Sequence, residues 1–451
     1  MYQTIEALLI KLKEKGVQLN NKYLNIILIS LLILAGLNHV FFQQGVIYFG
    51  ISILITLAII IKAQLSILSL LAVLGNYPLV ALTYQEFTGT SYGILEISSQ
   101  QIGLHYYGIT LAAFIFNYIL LFIVFYTDFL SYEKQVLNKK YTISKVLTNI
   151  FCLIAIAATI IYLPRFSLIS GINGETRFEH LLPGNAWNYV AIVAILFTTL
   201  SAHLSIFQIF TYVFVVFWFF FNYERVDMLG LSILLALRYY KIIWESPIVS
   251  RIKYKKTILF ALLTTVITFL FASSHLREGR GFNLIAIAKD LLVQTTSCDI
   301  MHVFNTSFDY VNNIGFSYGQ TYLNYIYKLI PGLGNDLDYS SILNHYIANP
   351  GGGYFLTEPY MNFGYLGVIL FSLLLLGSIY WMVKKSNAYA YLMYACLVAA
   401  SFRIMWYGLI YIHKSFIMII PAFFVFMILF DKYGLPLMMD KFNKMKFKKE
   451  R

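Results

Sequence analysis

The residues best suited to chemistry lie in one long polar stretch, residues 274–361, of an otherwise apolar chain. Glu358 and His345 stand near the end of this stretch, and Asp299 stands in its first third. A carboxylate or an imidazole can take a proton from a hydroxyl group, so we predict these three side chains as candidate catalytic residues. A glutamate near arginines can equally serve as their salt-bridge partner, and that alternative stays open for Glu358.

Six arginines could bind an anion, because a planar guanidinium forms two parallel hydrogen bonds to phosphate or carboxylate. All six fall on one side of the topology that is derived below. The candidates are Arg165, Arg177, Arg225, Arg277, Arg280 and Arg403. Arg277 and Arg280 have a glycine between them and another after them, and they could close around one anionic group. The alternative is that the arginines pair with local carboxylates, as Glu224 and Asp227 could do for Arg225.

Two further motifs carry weaker signals. Cys298, Asp299 and His302 have side chains that can bind a metal, but a catalytic zinc ion takes three protein ligands and no second cluster has ligand spacing. Residues 350–353 read PGGG without a following Gly-Lys-Ser/Thr, so they do not match a nucleotide-binding P-loop. We therefore predict no metal and no cofactor, and the glycines form either a plain turn or a close approach to a ligand.

The composition predicts a membrane protein. Of 451 residues, 59% are hydrophobic and 12% are charged, whereas a soluble domain carries about 25% charged residues. The mean hydropathy is +0.71. The three cysteines, Cys152, Cys298 and Cys396, lie far apart and predict no disulfide framework. The lysine-bearing N-terminal arm lacks a small-residue cleavage pattern, so we predict that the first apolar run is a retained span.

The apolar runs predict an all-α fold with about twelve transmembrane helices and a partly helical outer loop. The predicted spans are residues 24–42, 46–61, 63–82, 105–127, 147–163, 187–203, 204–221, 228–243, 257–273, 362–382, 388–404 and 415–430. Residues 283–304 have a helical period, and Pro331 follows a second helix that ends at Ile330, so we predict a folded cap. The chain then divides into helices 1–9 (residues 1–273), the outer loop (274–361), and helices 10–12 with a basic tail (362–451).

The positions of the charges determine the predicted topology. With both termini in the cytoplasm, 24 of the 33 basic residues fall in cytoplasmic segments, in agreement with the positive-inside rule. The cytoplasmic side then holds 21 lysines and three arginines, whereas the outer side holds six arginines and three lysines. Because the net charge of +12 follows this topology and suits contact with anionic membrane lipid, we predict no binding of nucleic acid.

Three features make the chain resemble the bacterial Wzy-type polymerases of O-antigen, the oligosaccharide repeat unit polymerases. Residues 223–230 read YERVDMLG, which is similar to that family's arginine at the turn into a span. A large outer loop follows late in the chain. Residues 351–367 read GGGYFLTEPYMNFGYLG, which is similar to the family's glycine-rich, glutamate-containing, Asn-Phe-Gly start of the next span.

The resemblance implies a glycosyltransferase of the bacterial cytoplasmic (inner) membrane that uses lipid-linked sugars on the outer side. The growing glycan on undecaprenyl pyrophosphate would be moved to the non-reducing end of an incoming lipid-linked repeat unit. The product would be a surface polysaccharide such as lipopolysaccharide or capsule. Arginines would stabilise the pyrophosphate leaving group, Glu358 would be the first candidate base, and Tyr360 would stack on a sugar ring. A chain-length regulator protein is a further implied partner.

Two other classes of protein stay open. O-antigen ligases share the general plan of the polymerases. A flippase or transporter of lipid-linked oligosaccharide would also use arginines, but transporters usually bind substrate near the membrane midplane and contain internal repeats. The predicted spans carry almost no charge and no repeat is visible, which favours the polymerase.

Overall fold

The computed structural model describes most of the chain, and every regular element within the described residues is a helix. The predicted all-α class is therefore confirmed. The described residues are 21–93, 95, 99–164, 187–201, 204–222, 224–245, 254, 285, 289, 292–330, 338–347, 352–409, 412–434 and 436.

The helices form one bundle and differ widely in length. In chain order they are α1 (Asn21–Leu37), α2 (Gly45–Ala63), α3 (Ile67–Thr88), α4 (Ser99–Tyr126), α5 (Phe129–Asn138), α6 (Lys145–Tyr162), α7 (Trp187–Thr198), α8 (Ile206–Phe221), α9 (Arg225–Trp244), α10 (Thr295–Ile314), α11 (Gln320–Tyr327), α12 (Tyr339–Leu343), α13 (Thr357–Lys385), α14 (Ala388–Ala399), α15 (Ser401–Tyr407) and α16 (Ile420–Leu429). A π-helical turn, Asn38–Phe42, follows α1, and two others, Ser415–Ile419 and Phe430–Gly434, flank α16.

Six helices in the described part of the chain are long and apolar enough to cross a bilayer, namely α2, α3, α4, α6, α13 and the continuous stretch Ser415–Gly434. A seventh span results if α14 and α15, which are bent by 57° relative to each other, count as one. The predicted number of twelve is thus not confirmed. Helix α7 has 12 residues and is only about 18 Å long, against about 30 Å of hydrocarbon. The predicted span 257–273 lies outside the described residues.

Two predicted span boundaries differ from the helix boundaries in the structure. The span predicted from residue 63 begins instead at Ile67, where the side chain of Ser66 accepts a hydrogen bond from the backbone N–H of Leu68 at 3.2 Å. The span predicted from residue 362 begins at Thr357 and is interrupted by non-helical backbone at Phe363 and Gly364. Hydropathy alone cannot locate such a break, because it reports composition and not backbone conformation.

Part of the predicted outer loop is built into the bundle. All residues from Ser297 to Phe308 of α10 are buried, and α10 packs against α3, α4 and α13. The ring of Phe308 stacks on Tyr360 at the start of α13, with ring centroids 3.9 Å apart. Helix α10 of the predicted cap is therefore packed among the membrane helices.

The opposite end of the bundle is held by two buried charged side chains. The Glu133 carboxylate accepts hydrogen bonds from the N–H of Ile67 at 2.9 Å and from the hydroxyl of Tyr394 at 2.7 Å. Arg238 donates to the carbonyl oxygens of Leu137, Thr199 and Lys139. These residues belong to segments that the charge pattern assigns to the cytoplasmic side, and they meet at one end.

Candidate functional site

Glu358 lies in the first turn of α13 and is the centre of a buried polar cluster. Its side chain is only 4% exposed. One carboxylate oxygen accepts a hydrogen bond from Thr321 at 2.7 Å, and the other accepts from the hydroxyl of Tyr325. Both donors belong to α11, so Glu358 joins the cap to the start of a membrane span. No basic side chain of the described residues forms a salt bridge with Glu358.

Tyr325 keeps its proton in this cluster. Burial, together with the negative charge of Glu358, raises the pKa of Tyr325 well above its usual range. The hydroxyl therefore donates and the carboxylate accepts, which is a charge-assisted hydrogen bond of the stronger kind. The ring of His413 stacks on Tyr325, with centroids 5.4 Å apart, and closes one side of the cluster.

Asn362 extends the cluster into the backbone. Its amide group donates to Thr321 at 2.7 Å and to the carbonyl oxygen of Glu358 at 2.8 Å, and its side-chain oxygen accepts from the N–H of Gly319 at 2.7 Å. The next two residues leave the helical conformation, with Gly364 at φ +60°. The Asn-Phe-Gly motif is therefore a kink that binds the turn preceding α11.

The glycine-rich segment before α13 enters the bundle. Gly353 donates its N–H to the carbonyl oxygen of Trp406 at 3.2 Å, and Phe355 donates to that of Met405 at 3.1 Å. The hydroxyl of the buried Tyr354 donates to the carbonyl oxygen of Gly75, in the middle of α3, at 2.6 Å. The described part of this segment thus packs against protein, and its backbone bonds fix the start of α13 relative to α15.

Arg403, predicted as a substrate ligand, forms a buried ion-pair cluster. Its guanidinium donates to Asp227 at 2.5 and 2.8 Å and to Glu224 at 3.0 Å. The two carboxylate side chains are 1% and 2% exposed, and the Arg403 side chain is 13% exposed. Tyr162 donates a further hydrogen bond to Glu224 at 2.7 Å. The carboxylate alternative raised by the sequence applies to Arg403, because two negative charges already neutralise it.

Asp299 forms a hydrogen bond that holds two segments of the fold together. Its carboxylate accepts a hydrogen bond from the N–H of Leu95 at 3.0 Å, so it holds the segment between α3 and α4 against α10. His302, one turn later, is within 3.1 Å of the side-chain oxygen of Gln85. No group of three potential metal ligands occurs among the described residues.

The remaining predicted site residues fall in different places. His345 is exposed in the turn after α12, Arg225 is half-buried at the start of α9, and Tyr360 is buried in the aromatic stack on Phe308. Four predicted arginines lie outside the described residues, namely Arg165, Arg177, Arg277 and Arg280. Of the predicted residues, Glu358 and Tyr360 therefore share the α13 start, and Arg225 and Arg403 share the α9 start.

A histidine–aspartate pair was missed by the sequence interpretation. His105 on α4 and Asp309 on α10 are 2.7 Å apart, and their side chains are 13% and 39% exposed. The His105 ring stacks on Phe308, at 5.3 Å between centroids, on the ring that also stacks on Tyr360. The only signal in the sequence was a histidine at the start of a predicted span, which hydropathy treats as a boundary.

Comparison with known proteins identifies no related protein. No family model matches the chain, and no curated protein or solved structure is significantly similar to it.

Proposed function

We propose that this chain joins undecaprenyl-pyrophosphate-linked oligosaccharide repeat units into a surface polysaccharide at the outer face of the bacterial cytoplasmic membrane. The observation that carries the proposal is the buried Glu358 cluster between cap helix α11 and α13. Glu358 itself lies within residues 351–367, the segment that resembles Wzy-type polymerases. The full topology in this proposal has about twelve spans and both termini in the cytoplasm, and a chain-length regulator is a proposed partner.

The proposed reaction forms a bond between an acceptor hydroxyl oxygen and the first sugar carbon of the donor glycan. The bond from that carbon to the pyrophosphate breaks, and undecaprenyl pyrophosphate leaves with its negative charge. Guanidinium groups stabilise such a developing charge when they are held in place beforehand. We assign this role to Arg225 and to the arginines of the outer segments, Arg165, Arg177, Arg277 and Arg280.

Arg403 has a different role in this account. Its charge is balanced by Asp227 and Glu224, so an incoming pyrophosphate would have to compete with two carboxylates. Breaking a buried ion pair costs about 3–5 kcal/mol, which makes such an exchange unfavourable. We propose that Arg403 is a positioning residue that holds the start of α9, where Arg225 stands.

We propose that His105 accepts the proton of the acceptor hydroxyl. In the proposed arrangement, an ionised Asp309 accepts a hydrogen bond from the His105 nitrogen that faces it (Nε2), which leaves the other ring nitrogen (Nδ1) to act as the base. Both oxygens of the buried Glu358 already accept hydrogen bonds, whereas the histidine–aspartate pair is partly exposed. Glu358 then serves to hold the cap in position and His105 serves as the general base.

The test is a reaction in nanodiscs between the purified chain and lipid-pyrophosphate-linked repeat units, with chelator present and no nucleotide sugar. A ladder of longer lipid-linked glycans supports the polymerase, and Arg225→Ala is expected to abolish the ladder while the protein remains folded. Normal polymerisation by Arg225→Ala would contradict the assigned anion site.

The same preparation separates the two alternatives. Transfer of glycan only to added lipid A core would identify a ligase. Movement of the lipid-linked repeat unit across a liposome bilayer, without any longer product, would identify a flippase. Either result would overturn the polymerase proposal.

A further inference from the structure

Helix α11 has its polar and apolar faces arranged opposite to those of a helix in water. Thr321 and Asn324 are buried, whereas Leu323, Ile326 and Tyr327 are exposed. Their exposed fractions lie between 39% and 58%. A helix on a water-covered surface buries its leucine and isoleucine side chains, because exposed apolar area is unfavourable in water.

The buried polar side of α11 has defined partners. Thr321 and Tyr325 donate to Glu358, and Lys328, just after the helix, forms a salt bridge with Asp338 at 2.6 Å. The orientation of α11 is therefore fixed by hydrogen bonds and cannot rotate to bury Leu323. Whatever covers its apolar side must therefore lie outside the described residues of the bundle.

The exposed side of α11 continues onto the lipid-facing side of α13. Phe316, which precedes α11, contacts Gly364 at the kink, and Gly319 lies against the ring of Phe363. Phe363 and Leu366 on α13 are 38% and 61% exposed, at the start of a helix that is long and apolar enough to cross a membrane. An apolar surface that continues from a spanning helix meets the same solvent, which is the bilayer.

We propose that α11 is an interfacial helix, with Leu323, Ile326 and Tyr327 against lipid acyl chains and its polar side on Glu358. Ile330, 48% exposed after the end of α11, and Tyr318, 74% exposed before its start, extend the surface. Tyrosine is favoured at the membrane–water boundary, as its ring is apolar and its hydroxyl is polar. Helix α11 then separates the lipid from the buried Glu358 carboxylate by the thickness of one helix.

The inference does not depend on the reaction that the protein catalyses. It predicts where the cap meets the membrane, and it places the buried Glu358 cluster on the side of α11 that faces away from the lipid. A helix that reads as part of an outer loop is thus a membrane-contacting element.

Site-directed spin labelling tests the proposal on the full chain in proteoliposomes. The native cysteines are all buried, so the labels are directed to Leu323→Cys and Ile326→Cys. Asn313→Cys and His345→Cys, at exposed polar positions, are the matched controls. Collision rates are measured with oxygen, which concentrates in the bilayer, and with a nickel chelate, which stays in water.

The proposal predicts that labels at residues 323 and 326 collide several-fold more with oxygen than with the chelate, and that the controls show the reverse. Equal chelate accessibility at 323 and 345 would overturn it. Shielding from both reagents with dipolar broadening at low protein-to-lipid ratio would also overturn it, because a second copy of the chain would then cover α11.

Discussion

At the residue scale, the buried carboxyl group of Glu358 accepts its hydrogen bonds from two hydroxyl groups of α11, those of Thr321 and Tyr325. Asn362, one turn later on α13, donates to the Thr321 hydroxyl and to the carbonyl oxygen of Glu358, so it joins the same two helices. A buried charge without donors is very unfavourable, so these contacts must form together with the fold. Removing one donor leaves the others oriented around a charge that is less well stabilised.

Tyr325→Phe is expected to destabilise the folded protein by about 1.5–3 kcal/mol, since it removes a hydrogen bond to a charged group and leaves the ring in place. Asn313→Ala, at an exposed position on α10, is the control and is expected to change stability by less than about 0.5 kcal/mol. Unfolding in mild detergent measures both. Equal unfolding midpoints of Tyr325→Phe and wild type would show that the cluster does not hold the cap.

His105→Gln is expected to lower kcat of the proposed reaction by about 100-fold or more with little change in KM, because general base catalysis contributes 10²–10⁴-fold. Asp309→Asn keeps the imidazole but loses its orienting charge, so we expect a smaller loss and a shifted pH profile. His39→Gln, an exposed histidine bonded to Tyr107, is the control. Wild-type rates for His105→Gln in a preparation that makes product would remove the base assignment and leave the polymerase intact.

His302 predicts an acid sensitivity. Burial lowers the pKa of His302 from 6.5 to about 4. The unfolded chain therefore binds a proton that the folded chain excludes, so stability falls as pH decreases from about 7 towards 4, by on the order of 3 kcal/mol. His302→Gln should reduce this slope in thermal unfolding measured across that range. An unchanged slope would assign the acid sensitivity to other groups.

At the scale of elements, close helix packing depends on a few residues without side chains. On α13, a methyl group at Gly367 would lie 2.0 Å from the carbonyl oxygen of Pro359, because the helix folds back on its own first turn at the kink. At Gly377 on the same helix, a methyl group would meet nothing within 4 Å. Alanine substitutions at Gly367 and Gly377 therefore form a matched test and control for the packing of the kink.

Gly367→Ala should destabilise the protein strongly, because backbone atoms cannot move aside without opening the kink that carries Glu358. Gly377→Ala should be neutral or stabilising by up to about 1 kcal/mol, as alanine is the better helix former. Yield of monodisperse protein and thermal unfolding report both effects. Similar behaviour of the two variants would show that the kink is not tightly packed.

At the scale of the whole molecule, the described segments form two ends of a bundle with different charge chemistry. One end contains Glu133, Arg238 and the basic turns near Lys139, and the other contains the Glu358, Arg403 and His105 groups. The charge pattern of the sequence assigns the end with Glu358, Arg403 and His105 to the outer side.

The sequence predicted the all-α class of fold, and it drew attention to Glu358, because apolar runs and a short motif are local properties. It could not predict partners that are distant in the chain. Glu358 is 37 residues from Thr321, Arg403 is 176 from Asp227, and His105 is 204 from Asp309. The span count also exceeded what is confirmed, since hydropathy does not detect the short length of α7 or the 57° bend after α14.

The most direct test of the central claim is the length distribution of glycan products made by the wild-type chain alone. Purified protein in nanodiscs receives one lipid-pyrophosphate-linked repeat unit as both donor and acceptor, with chelator and without nucleotide sugar. The account predicts a ladder in which each step adds one repeat unit and undecaprenyl pyrophosphate accumulates in equal amount. Recovery of the repeat unit at its original length, from protein whose unfolding profile shows it to be folded, would contradict it.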